Sequence, residues 1–240
     1  MSCPIWQLRF FFWRLFFFLL LFFYFSFKKK YRREIIDNYL YLTKKKNFPF
    51  SFYLLKISEN LSTMILINKQ TISLIFDKIK FLGDNIIKER GGVVVTFHYG
   101  LYEILPLVFM KKGYKTAIVY SPQKNKILNN LLLKIRKGKT LKICKTLQEI
   151  KEALANNYLV GFAIDNIHKG RLIFFKGLLP NLKILITPFI ISRIFSCPLY
   201  FMLMRKKGET YEVVIKKGFP FSFVKEEIKK NIFDWALWGK

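Results

Sequence analysis

Acidic side chains, histidine and cysteine are scarce in this chain, and each scarcity closes a route. Only 15 Asp and Glu stand against 42 Lys and Arg, a formal charge of +27 over 240 residues. Such an excess calls for an anionic partner: nucleic acid, acidic lipid or an acidic protein. Part of it reflects the joint abundance of Lys, Ile, Asn and Phe that an AT-rich genome favours. The three cysteines, Cys3, Cys144 and Cys197, lie far apart with no CxxC and no His or Cys at ligand spacing. That argues against a disulfide framework and a zinc site and makes a reducing compartment the default. With two histidines and no GxSxG motif, neither a metal centre nor a serine triad is supported, and no cofactor is implied. Motifs that read RNA are missing, which makes nucleic acid the weakest partner and leaves the anionic membrane as the strongest. No internal repeat is visible.

What the chain has in abundance is apolar and aromatic surface, including 27 Phe and 12 Tyr. Much of it is concentrated in "WQLRFFFWRLFFFLLLFFYFSFKKKYRR" at the N-terminus. Residues 15–27 carry no charge, a run shorter than the ~20 residues a straight helix needs to span a bilayer. Extending it back to Pro4 supplies the length but takes in Arg9 and Arg14, which can snorkel to one surface. A tilted span and a deeply bedded interfacial helix both stay open. A cleaved signal peptide is disfavoured, because no small-residue cleavage site follows. Lys28, Lys29, Lys30, Arg32 and Arg33 also resist translocation, which leaves the rest of the chain on the cytoplasmic side.

The organisation expected is an anchor over residues 1–33, a helical membrane-proximal region over 34–90 and an α/β core over 91–240. In the core, strands are expected at 93–97, 116–120, 141–144, 158–164, 199–204 and 211–216. Helices are expected at 102–112, at 124–137, from Thr146 with Glu149 completing a capping box, and from near Pro188. Repeated β-α-β order predicts an α/β fold, a mainly parallel twisted sheet flanked by helices, with an antiparallel hairpin at its end. Sites in such sheets collect at the carboxyl ends of the strands.

At the first of those ends stands "VVVTFHYGLYEILP". On one helix, His98 and Glu103 would point about 140° apart, so they must sit on different elements. A strand ending at Phe97 puts His98 in the loop beyond it. Gly100 then makes the tight turn, and Glu103 opens the next helix. The carboxylate can then orient one imidazole nitrogen and leave the other as a general base facing a cleft. Backbone amides near Gly100 are expected oxyanion donors.

"TFHYGLYE" resembles the H-x4-[DE] motif of membrane-bound glycerolipid and lipid A acyltransferases. "VYSPQKNKILNNLLLKIRKG", "LVGFAIDN", "RLIFFKG" and "ITPFIISRIFSCPLYFMLMRKKGETYEVVI" follow in the order of the late acyltransferases of lipid A biosynthesis. The likeness covers residues 90–218, and "DWALWGK" resembles a shortened form of that family's aromatic-basic ending. The chain has Tyr120-Ser121-Pro122 where the family has Tyr-Arg-Pro, Asp165-Asn166 where it has Asp-Gln, and an extra Lys176 before Gly177.

The resemblance implies transfer of an acyl chain from an acyl carrier protein thioester, or acyl-CoA, to a hydroxyl of a phosphorylated lipid A precursor at a bacterial inner membrane. It casts His98 as base and Glu103 as its orienter. Asp165, Arg171, Lys124 and Gly100 become the substrate-binding set, with Arg171 suited to an acceptor phosphate and Lys124 or Lys115 a point charge in place of the missing arginine. The alternatives are an acyltransferase for a lysophospholipid or another glycolipid, and a non-catalytic basic membrane protein that binds anionic lipid.

Overall fold

A computed structural model of the chain describes residues 4–68, 70–87, 91–120, 130, 133, 136, 141–165, 172–175, 178–179 and 182–235. Helix α1 (Pro4–Phe27) is followed by α2 (Lys29–Thr43), α3 (Phe50–Leu66), the one-turn α4 (Ser73–Phe76) and strand β1 (Ile79–Leu82). Strand β2 (Gly92–Thr96) leads through a 3-10 turn at Tyr102–Ile104 into α5 (Leu105–Lys111). Then come β3 (Lys115–Val119), β4 (Lys142–Cys144), α6 (Leu147–Ala155) and β5 (Tyr158–Ala163). A small antiparallel pair, β6 (Leu172–Phe174) and β7 (Lys183–Leu185), precedes α7 (Thr187–Ile194). The chain continues with β8 (Leu199–Lys207), β9 (Thr210–Lys217), α8 (Phe221–Lys230) and a 3-10 turn at Ile232–Asp234.

Among the described residues seven strands form one sheet in the order β1-β9-β8-β2-β5-β3-β4. Pairing is parallel except between β8 and β9, so the fold is α/β with a mostly parallel mixed sheet. Alternation of side chains divides the core in two. Val93, Val95, Val160 and Phe162 face α6 residues Ile150 and Ala153 together with Ile35, Tyr39 and Tyr53 of the N-terminal helices. Val94, Leu159 and Met202 face Leu105, Val108 and Phe109 of α5.

The capping box is present: Thr146 Oγ1 accepts from the Glu149 amide at 3.2 Å, and the Glu149 carboxylate accepts from the Thr146 amide at 2.9 Å. One expectation is corrected. The 34–90 region is not helical throughout, because 79–82 is a strand paired with β9, so a boundary at 91 would cut the sheet. β1 has four residues on a sheet edge, too few to show a two-residue period.

α1 is the one helix among the described residues long and apolar enough to cross a membrane. It is not free-standing. Phe25 meets Phe50 at the start of α3, with ring centroids 5.9 Å apart, while Trp6 packs in the cluster that holds Leu61 and Met64 near the end of α3. The two helices therefore run antiparallel. The face of α1 turned away from α3 exposes Phe11, Phe12, Leu15, Leu19 and Phe23.

Candidate active site

The site follows from strand register. Thr96 of β2 pairs with Ala163 of β5, so His98 and Asp165, each two residues further on, leave the carboxyl end of the sheet side by side. Both continue the face that carries Thr96 and Ala163. Asp165 Oδ1 accepts from the His98 ring Nδ1 at 2.8 Å, and the His98 amide donates to both carboxylate oxygens at 2.9 and 3.1 Å. Trp235 Nε1 donates to Oδ2 at 2.8 Å. The Asp165 side chain is fully buried, whereas the His98 side chain keeps 21% of its surface exposed. With Nδ1 committed to the carboxylate, Nε2 is the free nitrogen and carries the lone pair.

The expected dyad is corrected here. His98, Gly100 and Glu103 occupy the loop, the turn and the first turn of the next helical segment, as the spacing predicts. The carboxylate on the ring is nevertheless Asp165, and Glu103 is paired with Arg136. Arg136 Nε donates to Glu103 Oε2 at 3.3 Å, a second guanidinium nitrogen meets Oε1, and the guanidinium carbon lies 5.2 Å from the centroid of the Tyr120 ring. Asp165, expected in the substrate-binding set, is thus the carboxylate bonded to the imidazole. Glu103 acts on the imidazole through its charge.

The expected role of Gly100 is corrected too. Its φ of +55° suits glycine, and a Cβ there would run into the Met204 carbonyl oxygen. Its amide is already used, donating to the Asp234 carbonyl at 2.6 Å. The neighbouring Tyr99 and Leu101 amides donate to Phe97 and Met204 carbonyls at 2.7 and 2.8 Å. Gly100 is a packing residue, and these amides are not available to an oxyanion. Lys124 and Arg171 lie outside the described residues, as does the expected helix at 124–137 apart from isolated positions.

A cavity of about 320 Å³ opens beside the imidazole, within the range of small-ligand pockets. Its polar lining is His98, Tyr102, Glu103 and Arg136 with Thr96, Thr116 and Thr187; the apolar wall includes Val94, Phe109, Leu159 and Met202. The cavity exists because β5 presents Gly161 and Ala163 on the face under α5. A Cβ on Gly161 would meet nothing nearer than the Ala117 carbonyl oxygen at 3.6 Å. The Tyr102 ring stands edge-on to the imidazole, with centroids 4.7 Å apart.

Burial is the largest single influence on the imidazole and opposes its protonation. The charge and hydrogen bond of Asp165, with the charge of Glu103, outweigh it and raise the His98 pKa above the ordinary value. Burial, then the Glu103 charge, pushes the Tyr102 phenol far up, so it stays a protonated donor. Among the described residues no group of three or more His, Cys, Asp and Glu could hold a metal ion.

Three members of this site were not singled out from sequence. Arg136 looks like one more lysine-rich helix charge in "LLLKIRKG". Tyr102 lies within "TFHYGLYE" and Trp235 within "DWALWGK", but neither motif gives that residue a role of its own. The Asp165 contact was readable in principle, because parallel pairing of two apolar strands that end at equivalent points sets 98 opposite 165.

The site has the parts of a general-base centre: a carboxylate-held imidazole, a free ring nitrogen, hydrogen-bond donors and an apolar recess. No protein-family model matches this chain, and no curated protein sequence matches it.

Proposed function

We propose that the chain is a membrane-bound acyltransferase that moves a fatty acyl group from a thioester to the hydroxyl of a phosphorylated lipid of the lipid A type. The observation that carries this reading is the Asp165–His98 pair opening onto an apolar cavity. His98 Nε2 takes the proton of the acceptor hydroxyl while its oxygen forms a bond to the thioester carbonyl carbon. The tetrahedral oxyanion collapses by breaking the C–S bond, and the imidazolium returns its proton to the thiolate. General-base assistance is worth ~10²–10⁴-fold, so positioning and oxyanion stabilisation supply the rest. With the amides around Gly100 engaged, the Tyr102 phenol and the Arg136 guanidinium are the donors nearest the imidazole among those the cavity offers that oxyanion.

The acyl chain fits the recess beneath α5, where Gly161 and Ala163 leave room. The net charge of +27 suits an acidic carrier protein as donor, or acyl-CoA, and a phosphorylated acceptor in an anionic leaflet. α1 serves as the membrane helix, and the basic run that follows it favours a catalytic domain on the cytoplasmic side of a bacterial inner membrane. Its antiparallel packing on α3 suits a helix bedded in the interface better than one standing alone across the bilayer.

The test is mass spectrometry of lipids from a strain deleted for the gene, complemented by wild type or by His98→Ala. Wild type should restore one acyl group to a phosphorylated lipid, and His98→Ala should not. An unchanged lipid profile in the deleted strain removes the reading.

A further inference from the structure

The catalytic carboxylate is held from a second side, by the end of the described chain. Trp235 is fully buried, and its indole N–H reaches the one Asp165 oxygen that the imidazole does not use, at 2.8 Å. Among the described residues the other donor to that oxygen is the His98 amide, at 3.1 Å. A carboxylate bound on one oxygen alone can turn about its terminal torsion, which is broad for aspartate. The His98 amide is shared between both oxygens, at 2.9 and 3.1 Å, and the shorter indole bond to Oδ2 completes the set of donors that fixes the carboxylate plane and hence the direction of the hydrogen bond to Nδ1.

The segment that carries Trp235 is itself pinned. Tyr99 and Trp235 form an antiparallel bridge, and the Gly100 amide donates to the Asp234 carbonyl at 2.6 Å. The Asp234 side chain sits 3.2 Å from Lys56 Nζ, at ion-pair distance though without hydrogen-bond geometry. Lys56 belongs to α3, the helix on which α1 lies. The Phe233 ring stacks on Tyr39 of α2 with centroids 5.5 Å apart and meets Phe52 of α3 edge-on at 5.1 Å. The 3-10 turn and Trp235 thus bridge the N-terminal helices and the catalytic loop.

We propose that Trp235 is a positioning residue, its indole N–H clamping Asp165 so that His98 is held as the Nδ1–H tautomer with Nε2 free. The proposal rests on the acyltransferase reading of the site only for its kinetic consequence. Its structural consequence, the tautomer, is readable without substrate. Trp235 has a competing role as core filler, since Phe97 packs edge-on against it at 6.5 Å. Two substitutions separate the roles. Trp235→Phe removes the donor with part of the bulk, and 3-benzothienylalanine at position 235 replaces the N–H by sulfur while keeping the shape.

The full chain is labelled with ¹⁵N-histidine in detergent micelles. It contains only two histidines, and His98→Gln identifies the other signal. The wild-type His98 ring should show the shift pattern of a single Nδ1–H tautomer. The benzothienyl variant and Trp235→Phe should both show a mixture, with kcat for transfer from a lauroyl carrier-protein thioester to a phosphorylated diglucosamine lipid down about tenfold at unchanged KM, the loss typical of a removed supporting hydrogen bond. A benzothienyl variant with the wild-type tautomer and rate overturns the proposal, whatever Trp235→Phe does to folding. If His98→Gln retains full transfer, the acyltransferase reading fails, while the tautomer measurement still decides the clamp.

Discussion

A histidine whose Nδ1 is committed to a buried carboxylate has one nitrogen left for chemistry, and its charge state is set by its neighbours. In the proposed reaction the neutral ring is the active form, so activity should fall as pH drops through the His98 pKa. Because Asp165 and Glu103 raise that pKa against the effect of burial, the acid limb of kcat/KM should lie above the ordinary imidazole value of ~6.5. A limb at or below that value would contradict the geometry. Glu103→Gln removes one raising charge and should shift the limb downward, with part of the rate retained. Asp165→Asn removes the acceptor that fixes the tautomer and should cost more, about 10³–10⁴-fold in kcat, by analogy with the orienting aspartate of serine proteases. Steady-state kinetics of the two variants side by side distinguishes this assignment from one in which Glu103 holds the ring.

The element that shapes the site is β5, whose Leu159, Gly161 and Ala163 face α5. Gly161→Leu has space at Cβ and would fill the recess beyond it. The chain should fold with near wild-type stability but use only shorter acyl thioesters. An unaltered chain-length profile would place the acyl group elsewhere. Gly100→Ala should instead destabilise, by roughly 1–3 kcal/mol, because it combines a left-handed φ with a clash against the Met204 carbonyl; thermal unfolding measures it.

The legibility of these elements in the sequence follows the same physics. β2, β3, β5, the β8–β9 hairpin and the capped α6 each bury a periodic apolar face or carry a local signal, and all were expected close to their observed positions. β1 on the sheet edge and the three-residue strands β6 and β7 do not. His98 was legible as the chemical residue because it ends an apolar strand. Its partner was not, because the nearest carboxylate in sequence, Glu103, is taken by Arg136, whereas Asp165 arrives through sheet register from 67 positions away.

Taken whole, the chain combines a net charge of +27 with an α1 face of exposed phenylalanine and leucine. Charge attraction to anionic lipid is screened by salt, with a Debye length of only ~3 Å at 1 M, whereas apolar burial is not. The full chain should therefore float with anionic vesicles even at high salt. Complete release would show that α1 is not bedded in lipid and that basic charge alone holds the chain at the surface.

The claim on which the rest depends is that an imidazole held by Asp165 takes the proton of a lipid hydroxyl. Purified full chain, as wild type and as His98→Ala, can be given an acyl carrier protein thioester and a phosphorylated glucosamine lipid, with the acylated lipid measured by mass spectrometry. The account predicts product with wild type and a loss of at least ~10²-fold with His98→Ala. Equal product from both proteins would contradict it.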